Sequence, residues 1–274
     1  MTETPPLDGP LATYVLQRFG LPERPRANEE TLRRLLDSYT RIVPWESASR
    51  IVRRANHESQ DDCPVIAEAF WESALDRGTG GTCYESNYAF YSLLRRLGYN
   101  GYLTINDMGT TIGCHSAIII WLDGHKHLVD VGFPLHAVLP LPIRETVEVE
   151  GQFFHYRVIA GDANRYTIWR HPHPRGLVFT LVDVPVSDAD YRAITVHDYR
   201  RDGGQFLNEI VIHKVINEQL WRFNSDDLPW HVQVFVDGKR QNQDLDGDVA
   251  GRLSSTFGVD RDIVARAMRA LGLT

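Results

Sequence analysis

Thr79-Gly80-Gly81-Thr82-Cys83-Tyr84-Glu85-Ser86-Asn87 is the stretch on which the reading of this chain turns. Two glycines permit a tight backbone approach, and Thr82-x-x-Glu85 has the form of a capping box. Phe90, Leu93, Leu94 and Leu97 then recur at helical spacing until Gly98 stops the run. Cys83 is thereby expected in the first turn of a helix. Free N–H groups and the macrodipole favour an anion there, so the position is expected to lower the pKa of a cysteine and make it nucleophilic. The competing reading is a buried, inert cysteine that follows a turn.

Upstream of this stretch the chain reads as helical. Leu11, Tyr14, Val15 and Phe19 share one face, and Gly20 with Pro22 closes that helix. Asn28 is placed to cap a second helix, with Leu32, Leu35, Leu36, Tyr39 and Val43 as its buried stripe and Pro44 as its end. Pro64 sits just inside a third helix carrying Ile66, Phe70 and Ala74, and the Cys83 helix is the fourth. Within Pro44-Trp45-Glu46-Ser47, Trp45 reads as a core aromatic and Glu46 as a solvated acid, with a place beside the site as the alternative for both.

Downstream, from about Leu103, the pattern changes to strands. Leu103-Thr104-Ile105 is short, whereas Ser116 to Leu122 is a long apolar run followed by Asp123-Gly124 and then His125 to Val131. Asp-Gly between two such runs is a strong hairpin signal. A two-residue turn pairs Leu122 with His125, so paired positions sum to 247 and Asp130 falls opposite Ala117. His115, two residues earlier, then shares a face with Asp130, close enough for an imidazole–carboxylate hydrogen bond. A slip of one residue would put the two on opposite faces. His125 and His127 flank the turn and read as a solvated hairpin face, since no third metal ligand is evident. Val147 to Val149, Phe153 to Val158, Tyr166 to Trp169 and Leu177 to Val184 continue a barrel-like series. His171-Pro172-His173-Pro174 reads as a rigid, solvated turn and Asp202-Gly203-Gly204 as a loop. Ile210 to Ile216, Leu220 to Phe223 and Val232 to Val236 read as further strands, with a turn at Asp237-Gly238, and a last helix runs from Asp260 to Leu271.

The totals restrict the class. A chain of 274 residues is long for one compact domain, which makes two or three subdomains the expectation. A formal net charge of −7 without a basic cluster argues against nucleic acid as the main partner. Cys63, Cys83 and Cys114 contain no CxxC pair and cannot all be paired, which disfavours a disulfide framework or a cysteine-rich zinc site and favours a reducing cytoplasm. Met1 to Pro6 has neither the basic nor the apolar region of a signal peptide, and no apolar run approaches the length of a membrane span.

A cysteine in a first helical turn, a histidine beyond it and an aspartate on the paired strand make a Cys-His-Asp arrangement. Cys83 would attack an acyl carbon, His115 would take the thiol proton, and Asp130 would hold the imidazole tautomer. The same order suits transglutaminase-like and other thiol enzymes, so the chemistry leaves the substrate open. Val43-Pro44-Trp45-Glu46-Ser47, Gly80 to Asn87, His115, and Leu128-Val129-Asp130-Val131-Gly132-Phe133 resemble, in this order, the arylamine N-acetyltransferase family. The likeness spans most of the first 134 residues and fades afterwards, returning at Leu253 to Val259.

The resemblance implies an α+β fold: a helical N-terminal domain with the nucleophile (1–98), an antiparallel β-barrel domain with His115 and Asp130 (99–208), and an α/β C-terminal lid (209–274). It implies ping-pong transfer of an acetyl group from acetyl-CoA, through a cysteine thioester, to an arylamine, arylhydrazine or N-hydroxyarylamine. CoA would be a cosubstrate and not a resident cofactor, with Thr82, Gly132 and Phe133 on its side of the site and no metal. Two departures stand out. Thr79 occupies the place of the family's usual Arg, and Pro134-Leu135-His136 replaces a run of small residues on the CoA side. An amide synthase that takes a larger acyl chain from a carrier protein and a thiol hydrolase are the alternative readings.

Overall fold

The computed structural model describes residues 3–173, 176–200, 206–236 and 239–273. Ahead of the first long strand come α1 (Gly9–Arg18), α2 (Glu29–Ile42), α3 (Ala48–Asn56), α4 (Ala67–Arg77) and α5 (Cys83–Arg96). A two-residue strand, β1 (Trp45–Glu46), sits between α2 and α3. The Asn28 side chain caps α2 as its sequence predicts, accepting the Thr31 N–H at 2.9 Å. Gly98, at φ +90, ends the run after α5. The third predicted helix starts later than Pro64: α4 begins at Ala67, with Ile66 at its cap. The Val65 N–H is drawn to the Glu85 carboxylate at 3.0 Å, which holds the preceding residues extended against α5.

Eight strands follow: β2 (Asn100–Met108), β3 (Thr111–Leu122), β4 (His125–Val129), β5 (Leu139–Pro140), β6 (Thr146–Glu150), β7 (His155–Ala160), β8 (Arg165–His171) and β9 (Leu177–Val182). They form one antiparallel sheet, ordered β5-β4-β3-β2-β9-β8-β7-β6, curled into a nearly closed barrel. The β3–β4 hairpin has the register expected from Asp123-Gly124, pairing Leu122 with His125 and Ile118 with Val129. β3 is buried on both faces, which is why it reads as an unbroken apolar run. Ile118, Ile120 and Leu122 pack on the helical layer, while Ala117 and Ile119 enter the barrel core with Leu128, Tyr156, Ile168 and Phe179.

α6 (Asp188–Arg200) crosses from the barrel back over α5. Then β10 (Val211–Ile216), β11 (Gln219–Asn224), β12 (His231–Val236) and β13 (Lys239–Asp244) form a second antiparallel sheet, followed by α7 (Val249–Phe257) and α8 (Arg261–Ala270). β1 joins the edge of this sheet, with Trp45 opposite His213. Ala48, Ile51 and Val52 of α3 bury against the same core as Leu253, Phe257, Val264 and Ala267.

The sequence reading contains no α3, α6, α7 or β13. In α3 the arginines at 50, 53 and 54 mask the Ala48/Ile51/Val52 stripe. The buried face of α6 is made of Tyr191, Thr195 and Tyr199, with hydroxyls where an apolar stripe is sought. β13 is exposed throughout and has no apolar alternation, its strand character coming from its ladder to β12. The expected loop at 202–204 and turn at 237–238, and Pro174, lie outside the described residues. Among the described residues no helix is long and apolar enough to cross a membrane.

The packing of α3 makes a direct prediction. Ile51, 3% exposed, should cost about 2–5 kcal/mol when cut to alanine. Ile143→Ala, at an 89% exposed position, should stay within about 0.5 kcal/mol of the parent. Urea unfolding of both variants checks this, and equal midpoints would contradict the placement of α3 in that core.

Candidate active site

The start of α5 is fixed from below by a loop-to-strand contact. A Cβ on Gly80 would lie 1.7 Å from the Pro44 carbonyl oxygen, so only glycine lets 79–81 run against β1. The Gly80 N–H donates to the Glu46 carboxylate at 3.0 Å, and the Ser49 N–H does so at 2.8 Å, with the Ser49 hydroxyl as a further donor. Glu46 is fully buried. This corrects its reading as a solvated acid: the carboxylate collects donors that would otherwise be stranded between β1, α3 and the glycine loop. Trp45 is a core aromatic that also donates from its indole N–H to the Gly132 carbonyl.

His115 and Asp130 are joined as the register requires, with Nε2 of the ring 2.7 Å from Oδ2 of the carboxylate. Both side chains are buried. The other carboxylate oxygen, Oδ1, accepts the Gly132 N–H at 2.8 Å, the Asn87 amide at 2.9 Å and the Phe133 N–H at 3.0 Å. Asn87 also accepts the Val131 N–H at 3.0 Å and donates to the Ser116 carbonyl at 2.7 Å. Since Asn87 lies one helical turn after Cys83, the helix that carries the thiol also grips the turn that carries Asp130. Gly132 closes the join: a Cβ there would lie 2.4 Å from Cys83 Cα and 2.5 Å from the Asn87 amide nitrogen.

The Cys83 thiol is buried and lies 3.7 Å from the Cys114 carbonyl oxygen. Burial pushes its pKa up, Asp198 and Asp130 push the same way, and Arg50 opposes them. The lowering expected from the helix start is opposed by removal from water and by two carboxylates, and the net direction is upward. The capping box is also absent. The Thr82 hydroxyl accepts from Arg50 at 2.9 Å, and Glu85 instead binds Arg53 at 2.9 Å, the Tyr199 hydroxyl at 2.8 Å and the Val65 N–H. Arg50 is fully buried, pairs with Asp198 and lies over the Tyr199 ring at 4.1 Å. Two arginine–carboxylate pairs thus fasten α3 to the Cys83 helix and to α6.

The N-acetyltransferase family profile matches residues 29–263 of this sequence. The chain belongs to the arylamine N-acetyltransferase family. It is an acetyltransferase enzyme. An arylamine N-acetyltransferase of Mycolicibacterium smegmatis is 23% identical over 285 aligned positions, covering 93% of this chain and 96% of that protein. Proansamycin X synthase of Amycolatopsis mediterranei is 31% identical over 147 positions, covering 50% of this chain and 54% of that protein. Among solved structures, the arylamine N-acetyltransferase of Mycobacterium marinum in complex with CoA superposes with a TM-score of 0.76 at 18% identity, covering 95% of this chain and 99% of that one.

Within this N-acetyltransferase, the residues expected on the CoA side divide. Thr82 and Gly132 turn their polar groups inward, to Arg50, Asp130 and Trp45. Phe133 is half-buried, and its ring stands edge-on to His115 at 6.3 Å between centroids. Thr79 is buried and donates to the Ser73 hydroxyl at 2.8 Å. Residues 195–200 form the last turns of α6, which deliver Asp198 and Tyr199 to the arginines. His125 is exposed and His127 sits 3.2 Å from the His125 carbonyl, apart from the cysteine and its partners. Nothing in the local sequence marks Arg50, Asp198 or Ser116 as site residues, nor Tyr191, whose hydroxyl donates to the Tyr84 carbonyl and to the Ser116 hydroxyl at 2.8 Å. Asn87 alone among the added residues carries a local signal, its four-residue spacing from Cys83.

Two outcomes test this geometry. Gly132→Ala should force the 130–133 turn off α5, losing about 1–3 kcal/mol of stability and most activity, read by thermal melting and initial rates. Asp198→Asn removes a carboxylate that raises the Cys83 pKa, so the pH midpoint for alkylation mapped to Cys83 should move down. A midpoint that stays put or rises would contradict the electrostatic account.

Proposed function

We propose that this enzyme transfers an acyl group from acyl-CoA to an aromatic amine, hydrazine or hydroxylamine by way of a Cys83 thioester, with His115 as the base and Asp130 as its positioning partner. The observation that carries this reading is the buried His115–Asp130 pair, locked by Asn87 to the helix that bears Cys83. Because Nε2–H is committed to Asp130, the lone pair of His115 sits on Nδ1, the nitrogen left for the thiol. Acetyl-CoA is the donor the family supports, and the M. marinum relative was solved with CoA.

Cys83 Sγ attacks the acyl carbonyl carbon while His115 takes the thiol proton. The tetrahedral adduct expels the CoA thiolate, which leaves with the proton from His115. The amine then attacks the thioester, His115 removes the amine proton, and Cys83 departs and is reprotonated. A thiol held neutral by burial suits this order, because its proton moves only when an acyl carbon is in place.

Incubation with an acyl-CoA and no acceptor should add one acyl mass at Cys83, and Cys83→Ala should abolish it. An adduct at Cys63 or Cys114 would sink the assignment. Asp130→Asn should lower kcat by about three to four orders of magnitude while the fold persists. Turnover should follow ping-pong kinetics in acceptor concentration, and fast acceptor-independent hydrolysis would point to a thiol hydrolase instead. Pro134, partly exposed in the turn after Asp130, stiffens the wall expected on the donor side. Acylation rates with acetyl, propionyl, malonyl and longer donors should therefore peak away from acetyl-CoA.

A further inference from the structure

Inward-facing positions of a barrel strand are ordinarily apolar, and an inward-facing charge is ordinarily paired. Arg170 of β8 departs from both rules. It lies directly opposite Tyr156 of β7, which is fully buried in the barrel core, and two residues along the strand from buried Ile168. Its guanidinium lies over two rings, Phe133 at 4.9 Å and Phe154 at 5.0 Å. One terminal nitrogen contacts His173 Nε2 at 3.1 Å, while Nε is buried with no hydrogen-bond partner. Among the described residues no carboxylate pairs with it, and burial lowers its pKa to about 10.

Two other buried polar atoms lack partners in the same neighbourhood, His136 Nδ1 and the Tyr156 hydroxyl. The His136 pKa is pushed down to about 3, by burial first and then by the charges of Arg170 and Arg41. The pKa of His213, on β10, is lowered to about 3 by burial and then by Arg222, Arg170 and His136. Both imidazoles are therefore neutral near pH 7. Of the cations acting on them, Arg41 is paired with Asp37 and Glu218, and Arg222 with Asp227. Arg170 is left as one uncompensated positive charge among neutral donors. Such a set matches a singly charged planar anion better than a phosphate of higher charge. Phe133 is the link to the chemistry, its ring lying edge-on to His115 at 6.3 Å and under the Arg170 guanidinium at 4.9 Å.

We propose that Arg170, with His136 and the Tyr156 hydroxyl, forms a subsite for a carboxylate carried by one of the two substrates, either the aromatic amine or the acyl chain of the donor. Arg170 acts there as a specificity-determining residue one aromatic ring beyond His115. The inference deepens the acyl-transfer reading and rests on it for the identity of the substrates.

Two arms separate the sources. Calorimetric titration of the whole protein with 4-aminobenzoate and with its methyl ester, no donor present, reads the amine arm. The rate of Cys83 acylation by succinyl-CoA relative to acetyl-CoA reads the donor arm. In one arm the parent should favour the carboxylate form, and Arg170→Gln should cut that preference by about tenfold or more, with Arg170→Lys keeping part of it. Absence of a preference in both arms overturns the proposal, as does an equal loss for acid and neutral partner. A rise in KM shared by every CoA ester, acetyl-CoA included, would assign Arg170 to the CoA phosphates and also overturn it. Should Arg170→Gln fail to fold, the parent's preferences and Arg170→Met decide the same question. The titration needs no turnover, so it reads the subsite even if Cys83 proves not to be the nucleophile.

Discussion

The Asp130 carboxylate is the point at which the separate parts of this protein are tied together. Its Oδ2 holds the His115 ring, and its Oδ1 collects the Asn87 amide and two backbone N–H groups. A buried carboxylate is costly unless its oxygens are filled, and here the donors come from a helix, a strand and the turn itself. Satisfying the charge therefore forces α5, β3 and the 130–133 turn into one arrangement. Gly132 is the steric counterpart, since the turn can reach its donors only by lying on the Cys83 backbone.

Around that centre, buried charge is used as a fastener. Arg50 with Asp198, and Arg53 with Glu85 and Tyr199, connect α3, α5 and α6 where an apolar stripe would otherwise be expected. Breaking one partner of such a pair leaves the other stranded, which makes the geometry specific even where the net stabilisation is small. The Arg50–Asp198 pair also reaches the thiol: its two charges act on Cys83 in opposite senses, with burial the larger effect. The electrostatics of the nucleophile are thus set by the same residues that hold α6 against the site. Arg170 contrasts with these pairs: its Nε is buried without a hydrogen-bond partner, and among the described residues no carboxylate pairs with it.

The sequence by itself determined the elements whose signals are local. Helix stripes and caps marked α1, α2 and α5, and Asp123-Gly124 set a register that carried His115 and Asp130 to one face before any fold was known. The motif residues around Cys83 were enough to indicate the family. What the tertiary structure decided were features whose signals lie far apart in the chain. α3 and α6 are stabilised by charges and hydroxyls that find partners 32 to 148 residues away, so their own sequences look solvated. Glu46 reads as a surface acid until the glycine loop and α3 close over it. The helix start predicted an easily ionised thiol, yet a cysteine's pKa depends on how much water and which charges surround it, and Asp198, Asp130 and the depth of burial are supplied by packing alone.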